Sequence, residues 1–323
     1  MCLAAFAIHA SARWPLVVAS NRDEVYDRPA SPLASWQTAL GQNILSGRDL
    51  RAGGTWLGAS PDGRIALLTN VREALAPAAP CTRGELVVAW LEGAMDAEQF
   101  MAQTDSMRYG GFNMVLGDMQ SGHWTWVSNR ALDETGPVAS RLPARGWCSE
   151  ALKPGIYGVS NAALDTPWPK TVALKNALKS ALECTDEASL QAHLWAALSD
   201  RQQASEGELP DTGLPVSLEK ALSSAFIDEP ARGPSGYGTR CSTLLVARAD
   251  NHQTPDSWAV RITEKTHASN STFNAPTRSE VVSCGFEFPK SVVPASSVNT
   301  PITTINIRAG TRKLWESVGE RLL

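Results

Sequence analysis

Met1-Cys2-Leu3-Ala4-Ala5-Phe6-Ala7-Ile8-His9 opens the chain, and Leu16-Val17-Val18-Ala19-Ser20-Asn21 follows, running into the charged tetrapeptide Asn21-Arg22-Asp23-Glu24. Both apolar runs are short and rich in β-formers, and Ala10 to Pro15 separates them, so they predict a hairpin that begins at the amino terminus. In that hairpin the end of the second strand lies beside the start of the first, which brings the charged tetrapeptide next to Cys2. The first run has no basic segment before it and no small-residue cleavage site behind it. It therefore reads as a strand, not a signal peptide.

Further hairpins lie outward from this one. Thr55–Ser60 and Arg64–Asn70 flank Pro61-Asp62-Gly63, a turn signal. Phe112–Gly117 and His123–Ser128 flank a polar turn, Ser242–Ala249 pairs with Ser257–Thr263, and Gly155–Asn161 and Val281–Phe288 read as single strands. Thr82-Arg83-Gly84-Glu85 matches a capping box that opens a helix to about Gly93. Other helices are expected at 97–103, from Pro167 and Pro169 to Leu182, and at 186–198. Residues 22–54 and 200–240 read as long loops, the second with a short helix near Leu218. Residues 289–308 read as an irregular tail and 311–323 as a terminal helix. Hairpins in groups with helices clustered between them predict an α+β fold of antiparallel sheets, not a doubly wound parallel sheet.

The composition excludes several classes of function. With 29 Lys plus Arg against 33 Asp plus Glu, a net charge of −4 and pI near 5.8, there is no basic face for nucleic acid. A hydrophobic fraction of 43% excludes general disorder. No apolar run reaches the length of a membrane span, so no integral membrane segment is expected. The six cysteines are scattered without a C-x-x-C pair, which reads as reduced thiols in a cytoplasmic protein. No glycine-rich phosphate motif is present. The five histidines have no metal-ligand spacing, and no Cys-x-x-Cys-His exists to attach haem covalently. Eleven of the 22 aromatic residues are Trp, a composition that suits a pocket wall.

Cys2 is the most informative position for chemistry. Excision of Met1 is expected before a small residue and leaves a thiol and a free α-amine on one carbon. An α-amine with pKa about 7.7–8.0 accepts the thiol proton near neutrality, so one residue supplies nucleophile and base. Arg22 is expected to lower the thiol pKa, and Asp23 to hold the α-ammonium. Taken alone, Cys2 also fits a buried residue that merely starts a strand, and the tetrapeptide fits a solvated turn.

The chain resembles the NRDE family, also called the transport and Golgi organisation family. The matching segments are Met1-Cys2, Asn21-Arg22-Asp23-Glu24 with Arg28-Pro29, Leu45-Ser46-Gly47-Arg48-Asp49, Gly53-Gly54-Thr55-Trp56-Leu57-Gly58, Leu68-Thr69-Asn70 and Arg83-Gly84-Glu85-Leu86. Gly111-Phe112-Asn113, Tyr157-Gly158-Val159-Ser160-Asn161, Thr166-Pro167-Trp168 and Tyr237-Gly238-Thr239-Arg240 continue the series. The resemblance covers roughly residues 1–290 and implies an N-terminal nucleophile hydrolase-like domain over 1–290, a four-layer αββα sandwich, with a C-terminal extension over 291–323. Its mechanistic relatives are acylases that use an N-terminal Cys on linear amides. The positions matching their site are Cys2, Arg22, Asp23, Asn70, Asn161 and Arg240. In those acylases the Arg and Asp are separated by two residues, whereas Arg22 and Asp23 are adjacent. Adjacent side chains on a strand face opposite sides, so both serve Cys2 only if the strand ends or bulges there.

Two functions follow as expectations. One is hydrolysis of a linear amide or acyl substrate through Cys2, with no cofactor required and a pair of Asn as oxyanion donors. The other is a non-catalytic carrier that holds haem or a lipid-like acyl ligand in the same cleft, with His9 offered as a haem ligand. A scaffold role is the third and blandest.

Overall fold

Residues 3 to 8 are buried without a break, and the reason is that both faces of their strand are covered. In the computed structural model, described over residues 2–73, 79–131, 146–230, 235–249, 257–267 and 280–289, the strands are β1 (Cys2–Ile8), β2 (Leu16–Val25), β3 (Ala30–Gln37), β4 (Asn43–Asp49), β5 (Leu57–Ala59), β6 (Arg64–Asn70), β7 (Phe112–Asp118), β8 (His123–Ser128), β9 (Cys148–Ala151), β10 (Gly155–Val159), β11 (Asp228–Glu229), β12 (Tyr237–Ala249), β13 (Ser257–Thr266) and β14 (Glu280–Pro289). The helices are α1 (Gly84–Glu92), α2 (Ala97–Gln103), α3 (Pro169–Ala181), α4 (Glu187–Leu198) and α5 (Val216–Ala221). One antiparallel sheet runs β10-β1-β2-β12-β13-β14, with β11 on β12, and the other runs β3-β4-β5-β6-β7-β8-β9.

Side-chain parity sorts the core into layers. Ala4, Phe6 and Ile8 of β1 meet Trp56, Leu67, Val115 and Trp126 of the other sheet. Leu3, Ala5 and Ala7 meet Leu174 and Leu178 of α3 and Leu190 and Leu194 of α4. On the far side, Ala66, Met114 and Leu116 pack under Leu86, Trp90 and Leu91 of α1 and Phe100 of α2. Helices, two sheets and helices again make the αββα sandwich. Pro169 opens α3, Asp186 caps α4 through Ser189 N–H, and Asp96 with Gln99 forms a capping box on α2.

Three expectations need correction. Residues 22–54 are not a loop: β2 continues to Val25, and β3 and β4 follow. The 200–240 segment contains α5 but ends in β11 and the start of β12, so Arg240 lies inside a strand. The Thr82–Glu85 capping box does not form. No side chain caps α1, and the Glu85 carboxylate instead accepts from Tyr109 Oη at 2.7 Å. The chain divides into Met1–Ser291 and Val292–Leu323, and the tail and terminal helix expected after residue 289 lie outside the described residues.

Candidate active site

A cavity of about 650 Å³ opens where β1 begins and β2 and β6 end, with Cys2, Arg22, Asp23 and Asn70 in its wall. Cys2 pairs directly with Arg22 in the β1–β2 ladder, so both side chains lie on the face between the sheets. The Arg22 guanidinium lies 4.4 Å from the centre of the Trp56 ring and 3.3 Å from Asp49. Asp49 also receives Arg28 Nε at 2.6 Å and the N–H groups of Arg51 and Ala52. Burial pulls its carboxyl up, but these bonds and the two arginines outweigh it and hold Asp49 below the usual range.

Asp23 takes the opposite face, as adjacency on a strand requires. Its Oδ1 accepts from Thr239 Oγ1 at 2.7 Å, beneath a bulge that places Arg240 outside the β2–β12 ladder. Asp23 nonetheless acts on Cys2, because its backbone N–H favours the thiolate. Arg22 thus faces Cys2 in the ladder, and Asp23 acts on the thiol electrostatically. Burial holds the Cys2 thiol above its ordinary value. The positive chain terminus, Arg22 and the Asp23 N–H pull it down, and the Asp23 carboxylate pushes it up. Arg22 thus acts in the expected direction, but desolvation outweighs it.

A cluster of charges backs Asp23. Burial raises its carboxyl, against the chain terminus, Lys170, Thr239 and Arg72. Lys170 is buried, donates to Leu222 O at 2.9 Å, and is brought down to about 8 by desolvation and by Arg72. Arg72 forms a buried ion pair with Glu219 and stacks on Trp168. Arg72, Lys170 and Thr239 are not among the site residues expected from the sequence. Arg72 lies two residues after a family-matching segment, Thr239 lies inside one, and Lys170 follows Pro169 at the start of α3.

The two Asn residues divide the work. Asn70 lines the cavity. Asn161 is fully buried and does not; its Nδ2 donates to Asn70 O at 2.9 Å and to Asn70 Oδ1 at 3.1 Å. Its own Oδ1 lies 3.2 Å from Ser160 Oγ, whose one proton is shared between that oxygen and Cys2 O at 3.1 Å. Asn161 therefore fixes Asn70 and, through Ser160, the Cys2 main chain. Arg240 is not in the cavity wall either. Its Nη1 donates to the carbonyls of Val25 and Tyr26, clamping the turn after β2. Asn21 is structural as well: its Nδ2 donates to Leu198 O and Ala225 O, both at 2.8 Å, capping the end of α4.

Two glycines let the walls close. A Cβ on Gly47 would lie 2.5 Å from the Trp56 ring, and one on Gly54 would lie 2.3 Å from Gly84 C. Among the described residues, no histidine lines the cavity. Cys2 and Cys81 are the soft donors in its wall, and His9 follows the far end of β1. Among the described residues, no group of three or more His, Cys, Asp or Glu is placed to hold a metal, and no helix is long and apolar enough to cross a membrane.

Solved structures similar to this chain include a Caenorhabditis elegans N-acylethanolamine-hydrolyzing acid amidase ortholog, at 11% identity and a TM-score of 0.43, covering 76% of this chain and 92% of that one. A mutant conjugated bile acid hydrolase from Clostridium perfringens matches at 7% identity and a TM-score of 0.42, covering 87% and 96%. Curated relatives include the Transport and Golgi organization protein 2 homologs of Bos taurus, 34% identical over 251 residues, and Homo sapiens, 32% identical over 250, each spanning 74% of this chain and 84% of the relative. The family model described as Transport and Golgi organisation 2 matches residues 1–266, and the chain belongs to that family.

Proposed function

We propose that the protein hydrolyses linear amides through Cys2 once Met1 has been removed. The observation that carries this reading is the register of Cys2 with Arg22 at the cavity wall. The freed α-amine takes the thiol proton, and the sulfur attacks the amide carbonyl carbon. The developing oxyanion meets Asn70 Nδ2, which Asn161 holds in place. Collapse breaks the C–N bond, the α-ammonium gives its proton to the departing amine, and a thioester remains. Water then adds to the thioester, passing a proton to the α-amine. C–S cleavage returns the thiol and releases the carboxylic acid. Asp23, with the buried Lys170 behind it, stabilises the α-ammonium, and Arg22 stabilises the thiolate.

The test is turnover of a panel of N-acyl amides by Met1-free protein and by its Cys2→Ala variant. Loss of turnover in the variant is expected. Wild-type turnover in the variant would refute the nucleophile.

A second reading, a carrier of haem or an acyl ligand, is supported by burial, which holds the Cys2 thiol above its ordinary value. Titrated haem would then give a saturable Soret change that survives Cys2→Ala. The free thiols support a reducing compartment such as the cytoplasm for either reading.

A further inference from the structure

Four arginines face the cavity: Arg22, Arg28, Arg72 and Arg83. Three have carboxylate partners. Arg22 and Arg28 share Asp49, and Arg72 pairs with Glu219. Glu73, another acid in the wall, is held by Arg130 through contacts of 2.7 and 3.2 Å. Among the described residues, Arg83 has no carboxylate within 4.0 Å. Its Nη1 donates to Gly111 O at 3.0 Å, which leaves most of its five-donor fork for another acceptor. The position is built by the backbone: Arg83 immediately precedes α1, and Gly84 at the start of that helix sits flush against Gly54. Burial works against the Arg83 charge, and the Cys2 sulfur is the first of the groups that support it, so cation and nucleophile share one electrostatic environment.

We propose that Arg83 anchors a carboxylate of the ligand that lies over Cys2, so that the cavity selects acyl amides bearing a carboxylate. A planar fork matches a planar two-oxygen anion. With the other three cations paired, the site has one guanidinium for one negative charge. The binding part of this proposal stands by itself, and its turnover part rests on the hydrolase reading.

The experiment separates the two. The Cys2→Ala protein is titrated calorimetrically with N-dodecanoylglycine and with its neutral analogue N-dodecanoylglycinamide. The acid is expected to bind roughly 10- to 100-fold more tightly, the worth of one charged hydrogen-bonded contact. Arg83→Met in the same background is expected to reduce the preference to less than about 3-fold, with Arg83→Lys retaining part of it. Arg83→Gln replaces Arg83→Met if that variant melts early. Equal binding of acid and amide, a preference that survives loss of Arg83, or no saturable binding of the acid would each overturn the proposal. In the Cys2-containing enzyme, Arg83→Met is expected to raise KM for the acid while kcat holds. A binding preference without any Cys2-dependent turnover would sink the hydrolase reading and leave the anchor standing.

Discussion

Cys2 and Arg22 stand opposite each other in the β1–β2 ladder, while Asp23, next in the chain, turns its carboxylate to the other face and accepts from Thr239 Oγ1 at 2.7 Å. Two consecutive residues thus act on one thiol in opposite senses, the Arg22 charge lowering its pKa and the Asp23 carboxylate raising it. The Arg22 charge is further fixed by Trp56 and Asp49.

Thiol reactivity reads this arrangement. Burial raises the Cys2 thiol, and the chain-terminal charge and Arg22 oppose it. Removing Met1 moves the positive amine onto Cys2 itself and lowers the thiol pKa. At pH 7, Met1-free protein should therefore react with iodoacetamide about 10-fold faster than a Met1-retaining form, the effect of one pKa unit. Arg22→Met should slow both. Equal rates in the two forms would show that the amine does not activate the thiol.

The Asn70–Asn161 pair predicts a split between direct and indirect effects. Asn70→Ala removes the proposed oxyanion donor and should lower kcat by roughly 10²–10³-fold. Asn161→Ala should also lower kcat. In addition it removes the donor to Asn70 O and Asn70 Oδ1, at a stability cost of about 1–3 kcal/mol. Urea midpoints beside single-turnover rates distinguish the two variants. An Asn161→Ala protein with wild-type stability and rate would show that Asn70 needs no support.

Elements with a strong local pattern were legible in the sequence. The β1–β2 hairpin, β5–β6 around Pro61-Asp62-Gly63, and the helices opened by Asp96, Pro169 and Asp186 all carry their own signals. Strand β3 does not. Ala30-Ser31-Pro32-Leu33-Ala34-Ser35-Trp36-Gln37 is an edge strand with only Leu33 buried and an irregular register near its proline, so it lacks an apolar alternation to read. Strand β4 buries Ser46, which is satisfied by Trp36 Nε1 at 2.9 Å. At the site, the nearness of Cys2 to Arg22 follows from a hairpin and was accessible. The directions of Asn161 and Arg240 are set by partners 91 and 214 residues away, and no local pattern encodes such choices.

The Gly54–Gly84 contact predicts a steric failure with a clear order. Gly54→Ala would drive a methyl into the Gly84 backbone at 2.3 Å, whereas Gly84→Ala meets Thr55 O at 3.0 Å. Gly54→Ala should cost about 1–3 kcal/mol, as overpacking does, and Gly84→Ala less. Thermal melts of both variants test the order. Equal stability of Gly54→Ala and wild type would mean that the loop and α1 separate freely.

A pH effect follows from His267, whose Nε2 lies 2.9 Å from Ser242 Oγ. Ser242 donates to Asn21 Oδ1 at 2.6 Å, so its oxygen accepts from His267 and the neutral ring carries its proton on Nε2. Burial, then Lys265 and Arg201, lower the folded pKa to about 4, below the ordinary 6.5. Between these values the unfolded chain binds the extra proton, so stability falls as pH drops from 6.5 towards 4 and is independent of this group above that window. Because the ring is partly exposed, the loss between pH 7 and pH 5 should be about 1–2 kcal/mol. Asp23 and Glu264, raised by burial, act in the opposite sense. The useful quantity is therefore the change in urea midpoint for wild type minus that for His267→Gln, which keeps a donor for Ser242 and cannot titrate. A smaller acid-induced loss in the variant is expected, and identical losses in the two proteins would remove His267 as the cause.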